Sequence, residues 1–189
     1  MIKYIFLLLI LLVSCAHAPV QPETTPAGIP RETLKWRSAL LRDVRYYWGV
    51  ERSPAVFFGQ LHQESRWRET ARSSVGASGL GQFMPGTAAM MQRGYNQEFK
   101  ELCREAGGCP LDGRWAIRAT VLFDRDLWRQ FSFTSVEKER FAFALMGYNA
   151  GSGWVRRERA NAPDSTAWFS STETVCLRAE RFCAETRNY

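Results

Sequence analysis

The sequence predicts a mainly α-helical domain with a minimal β or loop region. Three observations carry this. Apolar residues recur at helical spacing along several segments, strand signals are sparse, and four glycines crowd one short stretch between helical segments.

Leu34, Leu41, Val44 and Trp48 recur at helical spacing and predict a first amphipathic helix that ends at Gly49. Ser53-Pro54 reads as an N-cap followed by proline at the first helical position, opening a helix through Ser65. Gly76, Gly79, Gly81 and Gly86 then mark a tight loop region, and a short helix is expected over Gly86 to Gln92. The stretch from Cys103 to Cys109 reads as loop. Trp115 to Phe131 returns to helix, with Ile117, Val121, Asp124 and Trp128 on roughly one face. Thr134-x-x-Glu137 has the form of a capping box and opens a helix through Tyr148, which Asn149-Ala150-Gly151 stops. A last helix is expected over Thr172 to Cys183.

Composition bounds the function. Apolar residues make up 46% of the 189, with seven Trp and twelve Phe, so one domain can build a real core. The net charge of +6 comes mainly from Arg and fits attraction to an anionic polymer or lipid headgroups. Nucleic acid is set aside: there is no aromatic-basic interleaving, zinc-finger spacing or RNP-type strand.

The first residues predict export. Lys3 supplies a positive n-region, and Ile5 to Val13 form an apolar run too short to span a bilayer but suited to a secretory signal. Leu12-Val13-Ser14-Cys15 resembles the bacterial lipobox, so residues 1–14 read as a lipoprotein signal peptide and Cys15 as the lipidated residue. An ordinary signal cut near Ala16 or Ala18 is the alternative. Residues 15–30, rich in Pro and Thr, read as lipidated Cys and flexible tether, and 31–189 as the folded domain. The expected location is the periplasmic side of the envelope, lipid-anchored, with the outer membrane favoured over the inner because Ala16, not Asp, follows the Cys. A monomer is expected.

Four further cysteines, Cys103, Cys109, Cys176 and Cys183, fit an oxidising compartment and permit three pairings. The local pairing, Cys103–Cys109 with Cys176–Cys183, is preferred because it closes two short loops. With only His17 and His62 in the chain, neither near these cysteines, no metal is expected, and no cofactor either.

Glu64 is the candidate acid. It follows Phe57 and Leu61 at i+7 and i+3, so its carboxyl points toward the same interior as two bulky apolar side chains. Burial disfavours the ionised form, and a carboxylic acid that keeps its proton near neutral pH can protonate a glycosidic oxygen. A helix-end glutamate turned outward, or paired with Arg66 or Arg68, is the structural alternative. The Gly76–Gln82 loop can bring its backbone close to a ligand.

Glu64-Ser65, Ser73-x-x-Gly76-Ala77-x-Gly79-Leu80-x-Gln82, Met84-Pro85-x-Thr87-Ala88, Gly147-Tyr148-Asn149-Ala150-Gly151 and Glu185-Thr186-x-x-Tyr189 occur in order. From about Ser53 to Tyr189 the chain thus resembles the soluble lytic transglycosylase (SLT) domain family, of lysozyme-like fold. The resemblance implies that Glu64 is the sole catalytic carboxylate, that Ser73 and Gln82 contact sugar near the cleaved bond, and that Met84 forms an apolar groove wall. It implies that Tyr148 and Asn149 close the cleft behind the acid, and that Glu185 and Tyr189 face it from the C-terminal motif. Gly81, where the family often has Met, implies a thinner groove wall. The implied reaction cleaves the MurNAc–GlcNAc β-1,4 bond of peptidoglycan and leaves a 1,6-anhydroMurNAc end. A lysozyme-type hydrolase and a non-catalytic peptidoglycan-binding lipoprotein are the alternatives.

Overall fold

The computed structural model describes residues 31–178. Among these, seven α-helices run in chain order: α1 (Glu32–Trp48), α2 (Ala55–Ser65), α3 (Pro85–Gly94), α4 (Asn96–Phe99), α5 (Gly113–Gln130), α6 (Glu137–Ala150) and α7 (Ser152–Ala160). The β content of the described residues is two isolated antiparallel bridges, Arg72 with Ser78 and Ser78 with Phe83. The chain is therefore mainly helical with a minimal β region.

The central helix is α5. Asp112 caps it, its side chain accepting the amides of Arg114 and Trp115, both at 2.9 Å. Helices α1 and α6 both pack on α5, so burial spreads around most of its circumference, from Trp115 and Ala116 to Leu122 and Asp124, and not along one stripe alone. Trp48 at the end of α1 meets Phe57 of α2, Trp128 of α5 and Phe141 of α6, with ring centroids 5.5 to 5.8 Å apart. That aromatic junction fixes four helices together; each fully buried large side chain in it contributes about 1.5–3 kcal/mol. A second cluster, built on Leu127, Phe131, Phe143, Val155 and Trp168, joins α5 to α6, α7 and the following segment.

Several elements differ from expectation. The inner stripe of α1 is Trp36, Leu40 and Val44, while Leu34 faces solvent. Ser53 does accept the Ala55 amide at 3.3 Å, just ahead of α2. The Thr134–Glu137 capping box does not form: Thr134 Oγ1 accepts from Val136, and Glu137 is drawn into an ion pair with Arg52. Gly151 ends α6 as expected, but α7 restarts at once. Where a last helix was expected, the described part is a single 3-10 turn, Thr172–Thr174, and Val175 is already extended. No helix of the described residues is long and apolar enough to cross a membrane.

Candidate active site

Glu64 lies in the last turn of α2. Phe57 and Leu61 on the same stripe are fully buried; Glu64, nearest the helix end, is half-buried. The chain leaves α2 through two successive left-handed residues, Arg66 (φ 53°) and Trp67 (φ 63°). Such conformations cost L-residues energy and persist only where the surroundings impose them. Here Trp67 is buried and packs on Phe58, ring centroids 5.5 Å apart, which holds the turn immediately after the candidate acid.

The glycine-rich loop folds back beneath. Ser73 Oγ accepts the Ala77 amide at 2.9 Å, so this side chain pins the loop tip. Gln82 has a positive φ of 46°, and its Nε2 donates to the carbonyls of Gly79 and Ala71 at 2.9 and 3.3 Å. Gly79 is required by space: a Cβ there would fall 1.6 Å from the Pro110 carbonyl oxygen, at a φ of +79°. Pro110 follows Cys109, and Cys109 is joined to Cys103 by a disulfide, so the bridge steadies the backbone on which the loop rests. Gln92 ties the same region down, donating to the Cys103 carbonyl and accepting from Trp115 Nε1.

Gly81 does not thin a groove wall. A side chain at this position would point inward, 2.5 to 2.8 Å from Thr120, Phe83 and Tyr148, so the glycine admits a close approach within the core. Tyr148 uses that approach: its hydroxyl donates to the Gly81 carbonyl at 2.6 Å, and its ring packs against Phe83 and Phe123. Loop and α6 are thereby locked to each other. Met84 is 43% exposed, and Asn149 is exposed at the end of α6. Glu185, Tyr189, Cys15 and Cys183 lie outside the described residues, and with Cys183 the second cysteine pairing.

Glu69, the acid nearest Glu64 in sequence, is committed elsewhere: it pairs with Lys35 at 2.8 Å and accepts the Gly113 amide at 3.0 Å. The carboxyl that sequence reasoning did not weigh is Asp124. It is wholly buried on α5 and accepts from Gln60 Nε2 at 3.2 Å. Burial pushes this carboxyl well above the usual carboxylate range; the Gln60 hydrogen bond partly opposes that, and the charge of Glu64 adds a smaller upward push.

Along α6, Lys138, Ala142, Leu145 and Asn149 share a face at helical spacing. Over that face lies an apolar pocket of about 240 Å³, walled on the far side by Trp168 and Phe169. Glu139 Oε2 holds this wall by accepting both of their amides, at 2.7 and 3.0 Å. Behind it, Glu158 of α7 is buried against Arg178, with a Nε–Oε1 distance of 2.9 Å.

Among solved structures, the chain aligns over 84% of its length with an inactive glutamate-to-glutamine mutant of lytic transglycosylase Slt from Pseudomonas aeruginosa. The TM-score is 0.53, with 23% identity and 22% of that chain covered. The likeness defines the class: a helical domain of lysozyme-like fold. Residues 48–104, which include Glu64, Ser73, Gln82 and Met84, match the model of the transglycosylase SLT domain family. It is 29% identical over 145 residues to the soluble lytic murein transglycosylase of Escherichia coli K12. It is 28% identical over 131 residues to the membrane-bound lytic murein transglycosylase F of Shewanella frigidimarina. These alignments take in 77% and 67% of this chain but only 20% and 25% of the relatives, so the chain spans about a fifth to a quarter of their length.

Proposed function

We propose that this chain is a peptidoglycan lytic transglycosylase with Glu64 as its single catalytic carboxyl. The observation that carries the reading is the pairing of the two acids. Glu64 reaches the surface at the end of α2, inside the stretch that matches the SLT domain, whereas Asp124 is sealed in the core and has no route to a sugar. Glycosidases that retain or invert with two carboxylates need both of them at the scissile bond. One accessible carboxyl supports a substrate-assisted route.

In that route Glu64 donates its proton to the oxygen linking N-acetylmuramic acid to N-acetylglucosamine, and the bond from C1 to that oxygen breaks. The 2-acetamido oxygen stabilises the cationic anomeric carbon. The Glu64 carboxylate then takes the proton from the muramic C6 hydroxyl, and O6 bonds to C1. Glu64 is regenerated, no water enters, and the product ends in 1,6-anhydroMurNAc. Ser73, Gln82, Met84, Tyr148 and Asn149 serve as the binding surface, Ser73, Gln82 and Tyr148 by holding the loop and α6 in register. The relatives' names, lytic murein transglycosylase, support the substrate, and the inactive glutamate-to-glutamine mutant of the neighbouring structure supports the role of Glu64.

The envelope-facing reading follows. Residues 1–14 act as a lipoprotein signal, Cys15 carries lipid, and the domain works from the periplasmic side, tethered by residues 15–30. The membrane-bound relative supports envelope association. Fatty-acid labelling that is lost in Cys15→Ala tests the anchor.

Digestion of purified sacculi, followed by mass spectrometry, tests the reaction. Wild-type enzyme should release muropeptides lighter by one water than the reducing products of a hydrolase, and Glu64→Gln should release none while remaining folded. Reducing muramic ends would point to a lysozyme-type hydrolase, and no release by either protein to a non-catalytic binder.

A further inference from the structure

We propose that Asp124 is a positioning residue of this site: it keeps its proton, donates it to Oε1 of Gln60, and thereby clamps the Glu64-bearing end of α2 to the central helix without adding charge beside the acid. The proposal rests on the reading of Glu64 given above.

The geometry leads there directly. Asp124 on α5 and Gln60 on α2 are both buried, and one hydrogen bond joins them, Gln60 Nε2–H to Asp124 Oδ1. That leaves Asp124 Oδ2 and Gln60 Oε1 without a donor, two orphaned acceptors on the two partners of a single contact. Buried polar atoms are nearly always satisfied. As a carboxylate, Asp124 would leave both unsatisfied and would be a buried anion without a cation. A proton on Oδ2 turns one acceptor into a donor and satisfies both, closing a cyclic acid–amide pair.

The surrounding charges favour the neutral form. Glu64, from α2, is the charge that acts on Asp124, and it has the same sign. Arg125, the next residue on α5, turns instead to Tyr47, with its guanidinium over the ring and Nη1 donating to the carbonyl. From α1 and α6, the flanking side chains of the junction are Trp48 and Phe141, which carry no charge, and the Arg52 guanidinium that lies over both rings is ion-paired with Glu137. Gln60 precedes Glu64 by one helical turn, so the two share a face of α2. An anchor at Gln60 therefore sets the direction from which Glu64 leaves the helix, and a misplacement of about 1 Å at such a group can cost about a hundredfold in rate.

Two substitutions test this. Asp124→Leu fills the space but removes the pair, and Asp124→Asn offers an amide N–H where the acid offers its O–H. Infrared difference spectra between wild type and Asp124→Asn at neutral pH should show the C=O stretch of a protonated carboxyl in the wild type alone. Asp124→Leu should lose about tenfold or more in kcat with KM within about twofold, and Asp124→Asn should rescue kcat. In the rescued protein the limb of the pH profile where Glu64 gives up its proton should overlay the wild type. A carboxylate band assigned to Asp124 would overturn the proposal. So would a downward shift of that limb in Asp124→Asn, because it would mean that a negative neighbour had been removed. Wild-type kcat in Asp124→Leu would also overturn it. The infrared readout needs no turnover, so it stands apart from any failure of Glu64→Gln to abolish cleavage.

Discussion

The hydroxyl of Tyr148 donates to the carbonyl of Gly81 at 2.6 Å, and there is room for this contact only because residue 81 has no side chain. Thr120 Oγ1 lies 3.3 Å from the same hydroxyl, so one atom ties α6, α5 and the glycine-rich loop together. Tyr148→Phe keeps the ring packing and removes the bond, which should cost about 1 kcal/mol. Gly81→Ala forces a methyl into occupied space and should cost about 1–3 kcal/mol. Urea denaturation of the two variants checks the order; an alanine tolerated better than the phenylalanine would contradict it.

The two left-handed residues after Glu64 should respond oppositely to glycine. Arg66 is exposed, so Arg66→Gly relieves backbone strain at little cost in contacts. A gain of about 1 kcal/mol, or about 2–4 °C in Tm, is expected. Trp67 is buried on Phe58, and Trp67→Gly should lose about 3–5 kcal/mol because the emptied space outweighs the relieved strain. Thermal denaturation of both variants decides. If Arg66→Gly destabilised the protein, the side chain rather than the backbone would govern this turn.

Much of this architecture was legible in the sequence where one residue type had one reason to be present. The glycine-rich loop as a tight turn region, the proline opening α2 and the Phe57–Leu61 stripe of α2 each had a single local reading. Legibility failed where tertiary partners chose between equal local options. The period of α1 allowed either Leu34 or Trp36 to face inward, and the larger indole won the core. Thr134 and Glu137 had the spacing of a capping box, but Arg52 from another segment claims the glutamate. Helix α7 carries few buried residues, Val155 and Glu158, so its apolar period is too faint to read. Asp124 was visible as a charge on an apolar stripe; only its meeting with Gln60, sixty-four positions away, reveals why it stands there.

The raised carboxyl of Asp124 has a thermodynamic consequence of definite sign. Folding holds the proton more tightly than the unfolded chain does, so this group's contribution to stability is fully present at pH below the ordinary aspartate range. It is lost as pH rises toward and through the raised value in the folded state. Asp124→Asn removes that titration. Its stability relative to wild type should therefore increase steadily from acidic to neutral pH and beyond. Denaturant midpoints of both proteins, compared across pH, provide the measurement; a difference that shrank with rising pH would indicate an aspartate ionised in the native state.

Glu139 connects the fold to the outer wall of the pocket. Its Oε2 accepts the amides of Trp168 and Phe169, two backbone donors adjoining a ring buried on Phe143 and a half-exposed one. Glu139→Ala leaves both amides without that acceptor and should cost about 1–3 kcal/mol. Glu139→Gln keeps a carbonyl oxygen in the same place and should retain most of the stability. If the pocket along Lys138, Ala142 and Leu145 belongs to the glycan-binding face, the alanine variant should raise KM on peptidoglycan strands while kcat stays within about twofold, since Trp168 and Phe169 would affect binding without touching the reacting bond. Steady-state kinetics on defined glycan fragments separate the cases. A fall in kcat at unchanged KM would place this wall in the chemistry of the site instead of its grip on the strand.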